Sequence, residues 1–91
     1  IGAPDKYNLF QNYPNPFNPS TNIVFEISKP GFVTLTVYDL RGSEIVTLVN
    51  ENRAAGRYEI KFDGSNLSSG IYFYKMKSDG FTFTRKMILT K

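Results

Sequence analysis

Acid–base chemistry in this 91-residue sequence would depend on its carboxylates, because the chain contains neither histidine nor cysteine. The remaining catalytic arrangements are paired carboxylates, a Ser/Lys pair, or a metal ion held by Asp and Glu. The acidic residues are Asp5, Glu26, Asp39, Glu44, Glu51, Glu59, Asp63 and Asp79. They are separated from one another, and no two have the alternate spacing that would place them together on one strand face. The sequence also lacks a glycine-rich phosphate loop, so it favours a domain without catalysis, metal or cofactor.

Binding by charge or by aromatic platforms is the next class of chemistry. The net charge of +3 is mild and is not by itself the footprint of a nucleic-acid-binding protein. Basic residues gather near the C-terminus, at Lys75, Lys77, Arg85, Lys86 and Lys91, and solvated strand faces explain them as well as a binding site does. The segment "IYFYKM" carries aromatic side chains on both faces, which suits sugar binding but equally suits a core without tryptophan.

Alternating apolar residues predict strands throughout the chain. Strands are expected at residues 22–28, 32–40, 44–50, 56–64, 70–78 and 81–91, with a short further candidate at 7–10. Asp79-Gly80 predicts a tight hairpin between the last two strands. Residues 51–56 are expected to form a connection. No segment has a sustained helical period, and no apolar run approaches the length of a membrane span.

The number and spacing of these strands predict an all-β, immunoglobulin-like sandwich of about seven mostly antiparallel strands without a helix. Within "LSSGIYFY", Tyr72 starts a strand two residues after Gly70. This pattern resembles a tyrosine corner, in which the hydroxyl bonds to upstream backbone, although Tyr72 could equally be a plain core aromatic. Because the chain opens at Ile1 with no signal-like segment, we expect residues 1–6 to be linker from a longer parent protein and residues 7–91 to be the domain.

The first long predicted strand, "NIVFEIS", is preceded by a stiff approach, which we call the proline segment (residues 12–19). It contains Pro14, Asn15, Pro16 and Pro19, and each proline fixes its own φ and restricts the residue before it. We expect this segment to prevent the preceding chain from pairing with the sandwich. We also expect it to hold the junction extended and exposed, where a protease can reach it.

Four blocks occur in order: "YPNPFNPSTNIVFEI", "VTLTVYDLRGSEIVTLV", "LSSGIYFYKMKSDG" and the terminal "FTRKMILTK". Together they resemble the C-terminal sorting domain (type A) of type IX secretion cargo, found in Bacteroidetes and their relatives. The resemblance covers about residues 9–91. The same family resembles the immunoglobulin-like domain of flagellar hook-capping proteins.

The resemblance implies a non-catalytic sorting signal appended to a secreted or cell-surface protein, which reaches the outer membrane through the periplasm. Its implied partners are the parent cargo, the outer-membrane translocon and a sortase-like protease. The protease would cut upstream of the domain, and the cargo would then be released or given a surface anchor. Recognition is attributed to the last strands. In this sequence the corresponding residues are Gly70, Tyr72, Lys86, Met87, Leu89 and Lys91.

The last predicted strand also suggests a mechanism. Met87 and Leu89 share one face with Phe81 and Phe83, whereas Lys86 lies on the other. If this strand lies at a sheet edge, its backbone groups are open to strand addition by a partner or a second copy, so we expect a monomer or a weak edge-paired dimer. Two alternatives stay open: an accessory or carbohydrate-binding module of a secreted enzyme, and an assembly module of the hook-capping type.

Overall fold

The computed structural model describes residues 4–91, which form seven strands and no helix. The strands are β1 (Asn8–Leu9), β2 (Ser20–Ile27), β3 (Gly31–Tyr38), β4 (Glu44–Arg53), β5 (Gly56–Asp63), β6 (Gly70–Ser78) and β7 (Phe81–Leu89). Each predicted strand is confirmed, with shifted ends. The largest difference is in β4, which continues to Arg53 because it pairs with β3 as far as Gly31, so most of the connection predicted at 51–56 is strand. In this part of the chain, no helix is long and apolar enough to cross a membrane.

The strands form two antiparallel sheets that pack together. One sheet has the order β1-β2-β5 and the other the order β4-β3-β6-β7. The chain therefore passes from one sheet to the other between β2 and β3, between β4 and β5, and between β5 and β6. The all-β, immunoglobulin-like sandwich predicted from the strand pattern is confirmed, and β7 lies at a sheet edge as the edge hypothesis requires.

Strand alternation builds the core. Successive side chains of a strand point to opposite faces, so a strand with one buried face alternates apolar and polar residues. In β2 every second residue from Thr21 to Ile27 is buried. The fully buried aliphatic and aromatic residues of the central strands are Ile23, Phe25, Ile27, Val33, Leu35, Val37, Tyr74 and Met76. Burial of each such side chain contributes about 1.5–3 kcal/mol to folding, and this layer holds the sheets together.

The β6–β7 hairpin turns at Asp79-Gly80, as predicted. Both residues have positive φ, 50° at Asp79 and 80° at Gly80. Two central residues with positive φ define the turn whose twist matches the flanking strands, and Asp-Gly is among its preferred sequences. The turn fixes the register in which Gly70 pairs with Leu89 and Tyr72 with Met87.

Two tyrosines tie strand starts to the loops that precede them. The Tyr72 hydroxyl donates to the carbonyl of Ser68 at 2.7 Å, which confirms the predicted tyrosine corner. The Tyr58 hydroxyl donates to the carbonyl of Ala54 at 2.5 Å with the same four-residue separation. This second corner was not predicted, although "GRY" at the start of β5 repeats the Gly-X-Tyr pattern of "GIY" at the start of β6.

We expect Tyr72→Phe to lower the free energy of unfolding by about 1 kcal/mol, because one partly buried hydrogen bond is lost. Tyr58→Phe should have a smaller effect, because the carbonyl of Ala54 is more exposed and water can replace the hydroxyl. Urea unfolding of both variants tests this order. An equal or larger loss for Tyr58→Phe would contradict it.

Candidate functional site

The six residues predicted as a recognition site do lie near one another. Gly70 and Tyr72 open β6, and their register partners Leu89 and Met87 close β7. Lys86 precedes Met87 on the same strand, and Lys91 follows the strand end. The fold therefore brings all six to one end of the β6–β7 hairpin, opposite the Asp79-Gly80 turn.

Burial separates the five of these residues that carry side chains into two groups, and Gly70 is half-buried. Met87 and Leu89 are 0% and 1% exposed, and Tyr72 is 8% exposed, so these three side chains belong to the core. Lys86 and Lys91 are exposed. The Lys91 ammonium donates to the carbonyl of Ser65 at 2.5 Å, and the Lys91 amide donates to Ser69 Oγ at 2.9 Å, so the chain end is fixed to the loop before β6. A partner can contact the two lysines, whereas the apolar members shape the surface from beneath.

The outer edge of β7 is covered over its C-terminal half, contrary to the expectation of an open edge. The Phe17 amide donates to the carbonyl of Ile88 at 2.9 Å, and the Thr90 amide donates to the carbonyl of Phe17 at 3.0 Å. This is a parallel bridge between Phe17 and Leu89. The proline segment thus occupies the position in which a partner strand would add.

Side chains complete this cover. Asn15 Oδ1 accepts the Ile88 amide at 2.9 Å, and Gln11 Nε2 donates to the carbonyl of Lys86 at 2.6 Å. Arg85 Nε reaches across to the carbonyl of Leu9 in β1 at 2.9 Å. The Lys86 carbonyl, both backbone groups of Ile88 and the Thr90 amide are therefore bonded within the domain. Only the first half of the β7 edge, around Thr82 and Thr84, has no strand or bridge beside it among residues 4–91.

Phe17 anchors the proline segment, and it was not among the predicted site residues. Its side chain is 1% exposed and meets the ring of Phe62 edge-on at a centroid distance of 6.1 Å. Gly64 passes close beneath it: a Cβ at Gly64 would lie 3.3 Å from the Phe17 ring and 3.2 Å from Leu89. The sequence could have indicated this burial, because Phe17 is the one phenylalanine in a polar, proline-rich stretch and large apolar side chains are usually buried.

A buried polar cluster holds the start of the proline segment. Asn12 is 2% exposed, and its amide donates to Thr21 Oγ1 at 3.0 Å and to the carbonyl of Pro14 at 3.1 Å. The Thr21 hydroxyl donates to the same carbonyl at 2.8 Å. From the opposite sheet, the Tyr74 hydroxyl donates to the carbonyl of Phe10 at 2.6 Å. These bonds satisfy backbone groups that would otherwise be buried without partners.

The predicted role of the proline segment is partly wrong. Pro14, Asn15, Pro16 and Pro19 are exposed and the segment is not helical, as expected, and its three X-Pro bonds are cis. It does not keep the preceding chain from the sandwich, however, because β1 lies before it and pairs with β2. The segment is instead a component of the sandwich margin. The predicted linker at residues 1–6 lies partly outside the described residues, which begin at residue 4.

The carboxylates that the structure describes serve turns and exposed faces. The backbone amide of Ser43, with that of Arg41, donates to Asp39 and lowers the pKa of its carboxyl. Ser65 lowers the pKa of Asp63 in the same way, first through its backbone amide. Within residues 4–91, no group of three or more Asp and Glu side chains is placed to hold a metal ion.

Comparison with known families gives one result. A family model described as "Secretion system C-terminal sorting domain" matches residues 11–90. The match includes the proline segment and both strands of the β6–β7 hairpin, so it covers the elements whose contacts are described above. A comparison with curated proteins finds no match.

Asn15→Ala should loosen the proline segment, because the Ile88 amide loses its acceptor. We expect amide hydrogen exchange at Ile88 and Thr90 to accelerate by about fivefold, corresponding to one hydrogen bond of ~1 kcal/mol. Asn18→Ala is the matched control, since Asn18 is an exposed asparagine that also precedes a proline. Equal exchange at Ile88 in both variants would contradict the assigned contact.

The buried Tyr74 hydroxyl predicts a loss of folding stability at alkaline pH. Burial raises the pKa of Tyr74 to about 12 from the ordinary tyrosine value of 10.0. Because the folded state disfavours the phenolate, its contribution to stability is complete below pH 10 and is lost as the pH rises toward 12. Denaturant unfolding across this range should show a fall in stability that is shallower in Tyr74→Phe than in the control Tyr13→Phe, since Tyr13 is 79% exposed. Equal slopes would contradict the prediction.

Proposed function

The chain belongs to the family of C-terminal sorting domains of the type IX secretion system, and from this premise we propose that it acts as a folded, non-catalytic recognition module. A domain of this family directs its parent protein across the outer membrane to the cell surface or the medium. The match over residues 11–90 carries this conclusion. The alternative of an accessory carbohydrate-binding module has no support from the comparisons.

The absence of catalysis is part of the proposal. The family is not known to be catalytic. The described carboxylates support this, because Asp39 and Asp63 are hydrogen-bonded to turn backbone and Glu26 pairs with Arg57 at 3.2 Å. A general acid or base needs a carboxylate that is free to exchange a proton with a bound substrate. We propose no cofactor, metal or nucleic-acid partner.

The translocon recognises the end of the β6–β7 hairpin in this proposal. Lys86 and Lys91 make the contacts, whereas Tyr72, Met87 and Leu89 set the position of the strand from the core, and Gly70 starts its partner strand. Support comes from the exposure of the two lysines beside a fixed backbone.

Because Phe17 already pairs with the C-terminal half of β7, we propose that the domain is a monomer and that dimers do not form through this half of the edge.

The packing of Tyr7 supports a proposal for the domain boundary and for the place of processing. Tyr7 is 8% exposed and stacks on Phe81 at a centroid distance of 4.7 Å, so packing against the sandwich starts there. We propose that the linker lies before this residue and that a sortase-like protease cuts at or upstream of it. The proline segment is a poor cleavage site in this proposal, because its backbone is bonded to β2 and β7.

A secretion assay tests the proposed function. Residues 1–91 are fused behind a signal peptide and a fluorescent reporter in a bacterium with type IX secretion. We expect the fusion to reach the medium or the surface, and a twin lacking residues 86–91 to stay in the periplasm. Retention of the full fusion in the periplasm, in a folded state, would overturn the sorting function.

The truncation also removes the backbone partner of Phe17, so a folding defect must be separated from a recognition defect. Lys86→Ala changes only an exposed side chain, and Lys91→Ala also removes one exposed hydrogen bond to the Ser65 carbonyl. Both should reduce export, and measurement of the thermal unfolding temperature separates this effect from a loss of stability. Lys29→Ala, an exposed lysine in the β2–β3 turn, is the matched control. Export of the two test variants at the level of this control would show that the lysines at the hairpin end are not contacted.

A further inference from the structure

The outer face of the four-stranded sheet is built from hydroxyl groups and lysines. The register pairs Thr34 with Lys77 and Thr36 with Lys75 across β3 and β6. Across β6 and β7 it pairs Lys77 with Thr82 and Lys75 with Thr84. Pairing partners share a face, and the inward partners on these strands, such as Leu35 and Met76, are buried. The lysines and threonines therefore share the outer face, on which Thr36 is covered by its neighbours and is only 7% exposed.

Lys75, Lys77 and Lys86 make this face basic, and we call these three residues the lysine face. Lys86 is paired with Phe73, two residues before Lys75, so it continues the same patch onto β7. The only carboxylate on this face among the described strands is Glu44, at the start of β4 opposite Tyr38. None of the three ion pairs formed within residues 4–91 involves a lysine.

The fold gives these charges fixed positions. Lys75 Nζ lies 5.1 Å from the centroid of the Tyr38 ring, so this side chain lies over the sheet. A shallow groove of about 310 Å³ runs beside it. The groove is lined by Thr34, Thr36, Tyr38, Glu44, Thr47, Asn50, Lys75 and Lys77. Lys75 and Lys77 are alternate residues of one strand, so their Cα atoms are about 6.6 Å apart.

The opposite sheet has a different electrostatic character. Its outer face carries Glu26, Glu59 and Asp63 together with Arg57 and Lys61, as the β2–β5 register places them. Arg57 pairs with Glu26 at 3.2 Å, and Lys61 helps to lower the pKa of the Asp63 carboxyl, after Ser65. These charges neutralise one another locally. The positive charge of the two sheet faces is thus concentrated on the lysine face.

The covered edge directs a partner toward this face. The carbonyl of Lys86, the amide and carbonyl of Ile88 and the amide of Thr90 are already bonded to Gln11, Asn15 and Phe17. A partner at the C-terminal half of β7 can therefore reach side chains but cannot add a strand unless the proline segment is displaced. The side chains available there extend directly into the lysine face through Lys86.

We propose that the lysine face docks on an acidic protein surface of the translocon, one that presents Asp and Glu carboxylates at the spacing of alternate residues on a strand. This inference rests on the proposed sorting function and names the surface that performs it. The hydroxyls of Thr34, Thr82 and Thr84 beside the lysines can donate and accept hydrogen bonds with such a surface. Opposed charges across such an interface mainly increase the association rate and select the correct partner.

A protein partner fits this face better than a lipid surface does. Docking to a membrane combines positive charge with apolar side chains that enter the lipid boundary. Here the exposed large apolar residues lie at the margins of the face, Phe32 at the start of β3 and Ile71 at the start of β6. The centre is composed of threonine and lysine, with the rings of Tyr38 and Phe73 half-buried beside them. A rigid, polar, regularly spaced array matches a second folded surface.

Charge reversal in the secretion assay tests the proposal. The double variant Lys75→Glu/Lys77→Glu should reduce the exported fraction by about tenfold, because attraction becomes repulsion. Lys75→Arg/Lys77→Arg keeps the charge and should export like the unmodified domain. The matched control is Lys29→Glu/Lys61→Glu, which makes the same change in net charge away from the lysine face. All variants are first shown to keep the thermal unfolding temperature of the unmodified domain.

The outcomes separate this inference from the proposed function. If the unmodified fusion is exported and the Lys75→Glu/Lys77→Glu variant is exported equally, the lysine face is not the docking surface, although the sorting function stands. Equal losses in the test and control variants would show an effect of net charge alone and would also overturn the inference. If the unmodified fusion is not exported, the sorting function itself fails.

A photo-crosslinking amino acid at Thr84, between Lys75 and Lys86 on the lysine face, identifies the partner. A residue at Asn22, on the outer face of the other sheet, is the control. A crosslink from position 84 alone to an Asp- and Glu-rich segment of an outer-membrane protein supports the proposal. A crosslink only to lipid or glycolipid, or no crosslink from position 84 while the fusion is exported, overturns it.

Discussion

The edge of β7 is a row of backbone donors and acceptors that the β-sandwich itself leaves unpaired, and the structure is organised around how that row is satisfied. Phe17 supplies a backbone bridge to Ile88 and Thr90, and the Gln11 and Asn15 side chains bond the adjoining groups. An exposed edge invites pairing with another chain. The proline segment prevents that by occupying the site, and it must itself be positioned by buried residues: Asn12 at its start and Phe17 near its end.

This cover makes the two sides of the sandwich unequal. On the β1 and β7 side, the margin is closed by Arg85, Gln11 and the proline segment. On the other side, β4 and β5 end their sheets with no further strand in the described chain. Partner selection at the closed side is therefore left to side chains, whose identity and charge can differ between surfaces, whereas backbone addition at an open edge is insensitive to most side chains.

Local patterns predicted the local structure well. Alternation of apolar and polar residues located the strands, and Asp79-Gly80 specified its turn. The Gly-X-Tyr pattern identified the tyrosine corner at Tyr72. The same pattern predicts the corner at Tyr58 equally well. The cover on β7 was not predictable in this way, because Asn15 and Ile88 are 73 residues apart and periodicity does not say which distant segment fills an edge. The six residues proposed for recognition lie at one end of the β6–β7 hairpin, but their division into buried and exposed members could be seen only from the packing.

The bridge between Phe17 and Leu89 joins the beginning of the domain to its end. A polypeptide that ends before Ile88 lacks the backbone groups that bond Phe17. The proline segment is then no longer held against β7, even if the central strands have formed. The covered edge therefore forms only in a chain that contains β7 to its end. Because this bridge joins residues near the two ends of the domain, opening of either segment exposes the backbone groups of the other.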